Sequence, residues 1–337
     1  MPRYSTHVVV ALLSEREGLQ RVSLDSGRRA YVLTGLIGPV AVGDPVVVNT
    51  TAVDLDLGTG GWDVVHWNLA RAEWTAAGAG HVMKLRYTSL QTDTGAAEEH
   101  WGYTEEDVRV PVVACGLHSL VPCVAAVVKH LAPERRLVYV MTDAGALPLA
   151  LSDLVVALRI AGLLDATVTA GQAFGGDHEA VNLHSALSVA RGVAGADVIV
   201  AGTGIGGVGT GRGLGFSAVD VAGVVDAAGG IGAHPIVAVR YSDADPRPRH
   251  RGVSHHVRTA LSLARTPALV PVPRGRPLPD LPGHEVVEVD VPDVPALLRA
   301  AGLSVTSMGR GPHDDPEFYA YAGAAGVAAA AWVSSPP

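Results

Sequence analysis

The chain is poor in several residue types. Among 337 residues there are two cysteines, three phenylalanines and only two lysines, Lys84 and Lys129, and 17% of the chain is charged. Cys115 and Cys123 share one apolar stretch and form no C-x-x-C pair. A disulfide-stapled fold is therefore not expected, and a reducing, cytoplasmic setting is the simpler expectation. A cysteine-based zinc site would need further ligands. Near the N-terminus, Arg3 precedes only the short apolar run Val8–Leu13 without a small-residue cleavage site, so no signal peptide is expected. Long hydrophobic runs are missing too. Val110–Val128 is interrupted by Pro111, Gly116 and Pro122, and Tyr319–Val333 is too short to span a bilayer. The chain has no G-x-S-x-G, H-E-x-x-H or G-K-[ST], which removes the common serine-hydrolase, zinc-protease and P-loop signatures.

What is present is apolar and turn-rich. Hydrophobic residues make up 48%, with 40 glycines and 22 prolines. This composition excludes disorder and, lacking a fixed glycine period, collagen. The net charge of -8 argues against nucleic acid and anionic membranes as partners. A symmetric homo-oligomer, most simply a homodimer, is the base expectation.

Residues 1–107 read as a small all-β, barrel- or sandwich-like domain with a linker. Short β-forming runs occur at Val8–Leu13, Gln20–Leu24, Arg29–Thr34, Pro45–Thr50 and Trp62–Trp67, separated by turn signals such as Asp25-Ser26-Gly27 and Gly43-Asp44. His81–Leu90 is a further strand candidate, and the polar stretch Thr92–Asp107 reads as the linker. From residue 108 to 337 strands and helices alternate, predicting an α/β domain: a mostly parallel sheet with helices on both faces. Helices are expected at Leu120–Leu131, Pro148–Ala161, His178–Val193, Ser217–Ala228, His255–Ala264, Val294–Ala301 and Pro316–Val333. Ligands of such sheets bind beyond the carboxyl ends of the strands, so chemistry is sought there.

Four features lie at those ends. Gly202-Thr203-Gly204-Ile205-Gly206-Gly207 follows a strand and satisfies G-x-G-x-x-G, and eight of the 14 residues from Gly202 to Gly215 are glycine. The functional reading is an anion cradle formed by Gly204, Gly207 and Gly209 with the Thr203 and Thr210 hydroxyls; the alternative is a long turn needing glycine conformations. The helix starts too late for a dinucleotide fold. Asp143 closes a strand, where a carboxylate suits metal binding or proton transfer, or merely a turn. Asp177 and Glu179 open an expected helix: Asp177 suits an N-cap, and either carboxylate could line a site. The densest polar segment, Arg240–Arg258, sets Arg240, Arg247, Arg249, Arg251 and Arg258 against Asp243 and Asp245, with His250, His255 and His256. Arginine forks suit phosphate or carboxylate. Ser254 reads as an N-cap whose helix field keeps the histidines neutral, although neighbouring helical side chains diverge and are not expected to share a metal. His118, two residues past a strand end, faces either the same cleft or the core.

Seven strings occur in order: LGTGG, GHVMKLRYTSLQ, GLHSLVPCVAA, VYVMTDAGALPLALSDLV, TAGQAFGGDHEAVNLHSAL, GTGIGGVGTGRGLGFS and RPRHRGVSHH. Together they resemble a bacterial family known only as a domain of unknown function (number 3866), over nearly the whole chain. The resemblance implies a two-part architecture and no activity. It also implies a histidine where this chain has Gln172, which weakens a metal or acid–base role at that position.

The expectation is an α/β protein binding a small anionic or phosphorylated metabolite, an enzyme or else a non-catalytic sensor using the same cleft. Arg247, Arg249, Arg251 and His250 would join the glycine loop in holding the ligand. Asp143, Glu179 and His255 would serve acid–base chemistry, with or without a divalent metal, and His118, Asp177 and His256 complete the candidates.

Overall fold

A computed structural model of the chain describes residues 1–76, 78, 80–99 and 108–334. The rear of the expected linker, residues 100–107, lies outside the described residues. Two compact units are formed, Met1–Gly95 and Ala96–Pro337.

The first unit is a closed five-stranded barrel of order β1-β2-β3-β5-β4. Its strands are β1 (Tyr4–Arg16), β2 (Leu19–Leu24), β3 (Arg29–Val32), β4 (Pro45–Asn49) and β5 (Trp62–Asn68), with one-turn helices α1 (Thr34–Ile37) and α2 (Thr51–Asp54). Alternate positions point inward, so Val22, Leu24, Val46, Val48 and Val65 fill the interior with Ala30, Val32 and Ile37. Closure removes the exposed edges that five short strands would otherwise present. The long strand expected over His81–Leu90 does not form. Only β6 (Met83–Lys84) pairs, with β7 (Thr92–Asp93), because Leu85 and Tyr87 adopt φ of 53° and 63° and turn the chain.

The second unit is built on a parallel sheet. Its strands are β8 (Pro111–Cys115), β9 (Leu137–Thr142), β10 (Ala166–Ala170), β11 (His178–Ala180), β12 (Val198–Thr203) and β13 (His234–Ala238). A small separate ladder, β14 (Tyr241–Ser242) with β15 (Gly252–Val253), comes next, and β16 (Leu269–Pro273) and β17 (Glu285–Val289) complete the main sheet. The sheet order is β11-β10-β9-β12-β8-β13-β16-β17. Continuous apolar strands are explained by two cores. Val112, Ala114, Val138, Val140, Ile199 and Ala201 face one; Val113, Cys115, Leu137, Tyr139, Met141, Val198 and Val200 face the other. Helices α3 (Val121–Leu131), α4 (Asp153–Ile160), α8 (Val294–Ala300) and α9 (Pro316–Ser334) cover the second face, and α5 (Leu183–Gly192), α6 (Val221–Gly230) and α7 (His255–Leu263) the first. Cys115 on β8 and Cys123 on α3 are both free and fully buried in the second core. No helix of the described residues is long and apolar enough to cross a membrane.

One expected helix begins elsewhere. Residues 178–180 extend the sheet as β11, and α5 starts only after Asn182, whose side chain accepts from the Ser185 amide while Ser185 returns a bond to the Asn182 amide. This reciprocal cap outcompetes an earlier start. Asp177 is thus no N-cap.

Candidate functional site

The sheet topology fixes where a site belongs. From β12 the chain passes to α6 on the first face, whereas from its neighbours β8 and β9 it passes to α3 and α4 on the second. From β13, beside β8, it passes to α7 on the first face. Connections that diverge this way open crevices at the carboxyl ends of β12, β8 and β13. The glycine loop follows β12, His118 follows β8, and the Arg/His segment follows β13.

The glycine loop is not a single cradle. A Cβ on Gly202 would lie 2.4 Å from the Cys115 carbonyl oxygen, and one on Gly204 2.7 Å from the Ala146 oxygen and 2.9 Å from the Met141 sulfur. These two glycines therefore answer to packing against β8 and β9. Beyond them, Ser217 N–H donates to Val208 O (2.9 Å) and Thr210 N–H to Gly215 O (2.7 Å). Residues 208–217 thus form a solvent-facing hairpin, and α6 begins only at Val221 after a 3-10 turn over Ser217–Asp220. The Thr210 hydroxyl donates to Gly215 O, and Thr203 is buried with its carbonyl turned to His118 and Tyr139.

The hairpin returns through Phe216, which stacks on His256 with centroids 3.9 Å apart and meets His255 edge-on at 5.4 Å. Position 211 approaches Arg249: a Cβ on Gly211 would be 3.8 Å from its Nη2. The glycine loop and the Arg/His loop are thereby brought to one place.

Within the Arg/His loop, Asp245 is fully buried. It accepts from Arg247 Nε (2.9 Å) and Nη2 (2.8 Å), from Arg310 Nη2 (3.2 Å) and from Arg240 Nη2 (3.4 Å). The hydrogen-bonded Arg247 guanidinium, with Arg310 behind it, holds this carboxyl far below the usual carboxylate range. Arg251 donates to the Asp245 carbonyl (3.0 Å). Arg310 also binds Asp315, which accepts from Ser242 Oγ at 2.6 Å. Arg247 and Arg251 therefore brace the loop. Arg249 and Arg212 meet no carboxylate among the described residues and are exposed.

Ser254 caps α7, accepting from the His256 amide, as its sequence position predicts. His250, His255 and His256 converge, with the His255 and His256 ring centroids 4.4 Å apart and His250 4.8 to 4.9 Å from each. Side-chain rotation over the short cap overcomes the angular divergence of adjacent helical residues. The rings are held neutral mainly by burial rather than by the helix field. Burial and then Arg240 push His250 and His256 down to about 3, and burial and then Arg249 push His255 down.

The remaining candidates scatter. His118 is satisfied: Nδ1 lies 3.3 Å from Thr203 O and 3.2 Å from Tyr139 Oη, and Nε2 2.7 Å from Ser152 Oγ. A carbonyl only accepts, so Nδ1 carries the proton. Asp177 pairs with Arg159 and accepts from the Thr167 amide and hydroxyl. Glu179 accepts from Thr169 Oγ1 (2.6 Å) and the Gly175 amide (2.7 Å). Both fasten edge strand β11, which stands five strand positions from β13, about 24 Å at ordinary strand spacing. Glu179 and His255 do not share a site. Asp143 accepts from the Gln172 amide (3.2 Å). Burial and then the Asp143 charge push Asp220 above the usual carboxylate range. Asp220 lines a narrow crevice with Thr142, Gly202 and Thr203.

Sequence reading missed Asp220, Phe216 and Arg212. Asp220 sits among small apolar residues in GFSAVD, a weak signal of a carboxylate next to β12. The approach of Phe216 to the histidines is a tertiary contact with no local signature.

Residues 29–326 match a protein family described as "Protein of unknown function (DUF3866)". No curated protein matches the chain.

Proposed function

The chain belongs to the DUF3866 family, whose description carries no activity, and we propose that its α/β unit binds a small anionic or phosphorylated metabolite beyond the carboxyl ends of β12, β8 and β13. One observation carries the reading: Arg212 on the glycine hairpin and Arg249 beside it have no carboxylate to neutralise them among the described residues, while neighbouring Arg247 is consumed by Asp245. A guanidinium left unpaired on a loop braced by buried ion pairs suits a phosphate or carboxylate fork. His255 lies on the Arg249 side and is held neutral, the form required either of a general base or of a metal ligand.

A non-catalytic role for the same face is favoured by a separate observation. The crevice between Gly116, Ala218, Arg240 and His256 is only about 10 Å³, room for about one water. The ligand would then sit in front of the hairpin in contact with solvent, which suits holding or sensing better than water-excluding chemistry.

The test is calorimetric titration of the full chain with inorganic phosphate and with phenyl phosphate. Arg249→Ala is expected to weaken binding about 10- to 100-fold, the worth of one charged hydrogen bond. Unchanged affinity in a chain carrying both Arg249→Ala and Arg212→Ala would sink the reading. Release of phenol that stops in His255→Ala supports the enzyme; binding without turnover supports the sensor.

A further inference from the structure

We propose that His250, His255 and His256 form a three-histidine site for a divalent transition-metal ion of the zinc type. The three side chains each offer one ring nitrogen, and these atoms all lie within 4.8 Å of one another. Among the described residues this is the one group of three or more His, Cys, Asp or Glu with that geometry. A tetrahedral ion with metal–nitrogen bonds of about 2.0–2.1 Å needs nitrogens about 3.4 Å apart. The separation of up to 4.8 Å must therefore shorten when an ion binds.

Two further observations point to a missing ligand. His255 Nε2 is buried and has no hydrogen-bond partner, a state that costs free energy unless something fills it. A metal ion supplies the missing bond. Ser254 Oγ lies 2.8 Å from His250 Nδ1 and at the same time caps the His256 amide. A hydroxyl on Nδ1 orients the ring and leaves Nε2 free for a metal, the usual arrangement around metal-bound histidine.

The surroundings define what the ion does. Phe216 closes one side of the cluster. Three protein ligands leave a fourth position for water or substrate, as in catalytic rather than structural sites. Arg240, Arg247, Arg249 and Arg310 outnumber Asp245 and Asp315 nearby. That surplus of positive charge disfavours a bare cation and favours one carrying an anion, either hydroxide or a phosphate oxygen. The metal site stands on the histidines alone and survives if the anion reading fails.

The test uses the full chain, stripped with chelator and titrated with Co2+ and then with competing Zn2+. Expected are one equivalent of Co2+ and the visible bands of a four-coordinate ion, displaced by Zn2+. Each of His250→Ala, His255→Ala and His256→Ala should weaken binding by at least about 10- to 100-fold, the cost of losing even an outer-shell partner. His184→Ala, on the exposed face of α5, should change nothing. His255→Gln keeps the ring volume approximately and serves where alanine unfolds the chain, as judged by circular dichroism. The proposal is overturned if the folded chain binds no Co2+, or if the bound ion persists when all three histidines are replaced. Phosphate titration of the metal-free chain separates this outcome from failure of the anion reading.

Discussion

Asp245 is held in part by Arg310, a partner 65 residues along the chain. Five arginines against two aspartates between Arg240 and Arg258 mark the segment as a candidate site, and the segment lies at the carboxyl end of β13. Which arginines are free was not legible, because Arg310 and Asp315 enter the network from far along the chain. Only the tertiary fold separates the braced Arg247 from the open Arg249. His118 gives a prediction at the same scale. Burial pushes it down to about 4, from an ordinary value of 6.5. Between those values the unfolded chain binds a proton that the folded chain refuses, so stability rises with pH there. The contribution is complete above about pH 6.5 and is lost as pH falls through about 4, on the order of 3 kcal/mol at most. Urea midpoints at neutral and mildly acid pH should therefore converge in His118→Gln relative to the parent. Equal pH dependence in both chains would show that His118 does not carry the effect.

At the scale of elements, the main helices and strands were readable because two cores demand unbroken apolar strands, and helices must cover both faces. The boundaries failed where local bonds compete. Asp177-His178-Glu179 resembles a helix start, yet the Asn182–Ser185 cap lies further on and the earlier residues pair with β10. The glycine motif was ambiguous for a different reason. Close approach to a phosphate and close approach to a neighbouring strand require the same residue, and Gly202 and Gly204 serve the second need. Gly204→Ala is accordingly expected to destabilise the α/β unit by about 1–3 kcal/mol, the cost of overpacking, measured as a shift in denaturant midpoint. Gly213→Ala, where a Cβ meets nothing within 4 Å, should cost far less. Similar losses at both positions would mean that hairpin flexibility, not contact, sets the glycine requirement.

At the scale of the whole molecule, the division into a barrel followed by a parallel sheet follows from the change of sequence grammar, from short runs between turns to strands alternating with helices. The sheet order did not follow, since adjacency of β12 to both β8 and β9 leaves no trace in local pattern. That adjacency decides where the crevices open and hence which loops meet. The second core also encloses Cys115 on β8 and Cys123 on α3, where burial pushes both thiols well above their ordinary range. Thiols that stay protonated and unreactive at rest make the α/β unit its own clock. A thiol-labelling reagent should modify neither sulfur faster than the unit opens, so at high reagent concentration the labelling rate should level off at the opening rate. Rapid labelling of the native chain would contradict this packing. Bound Co2+ or phosphate should slow the plateau, giving each ligand a readout in time as well as in affinity.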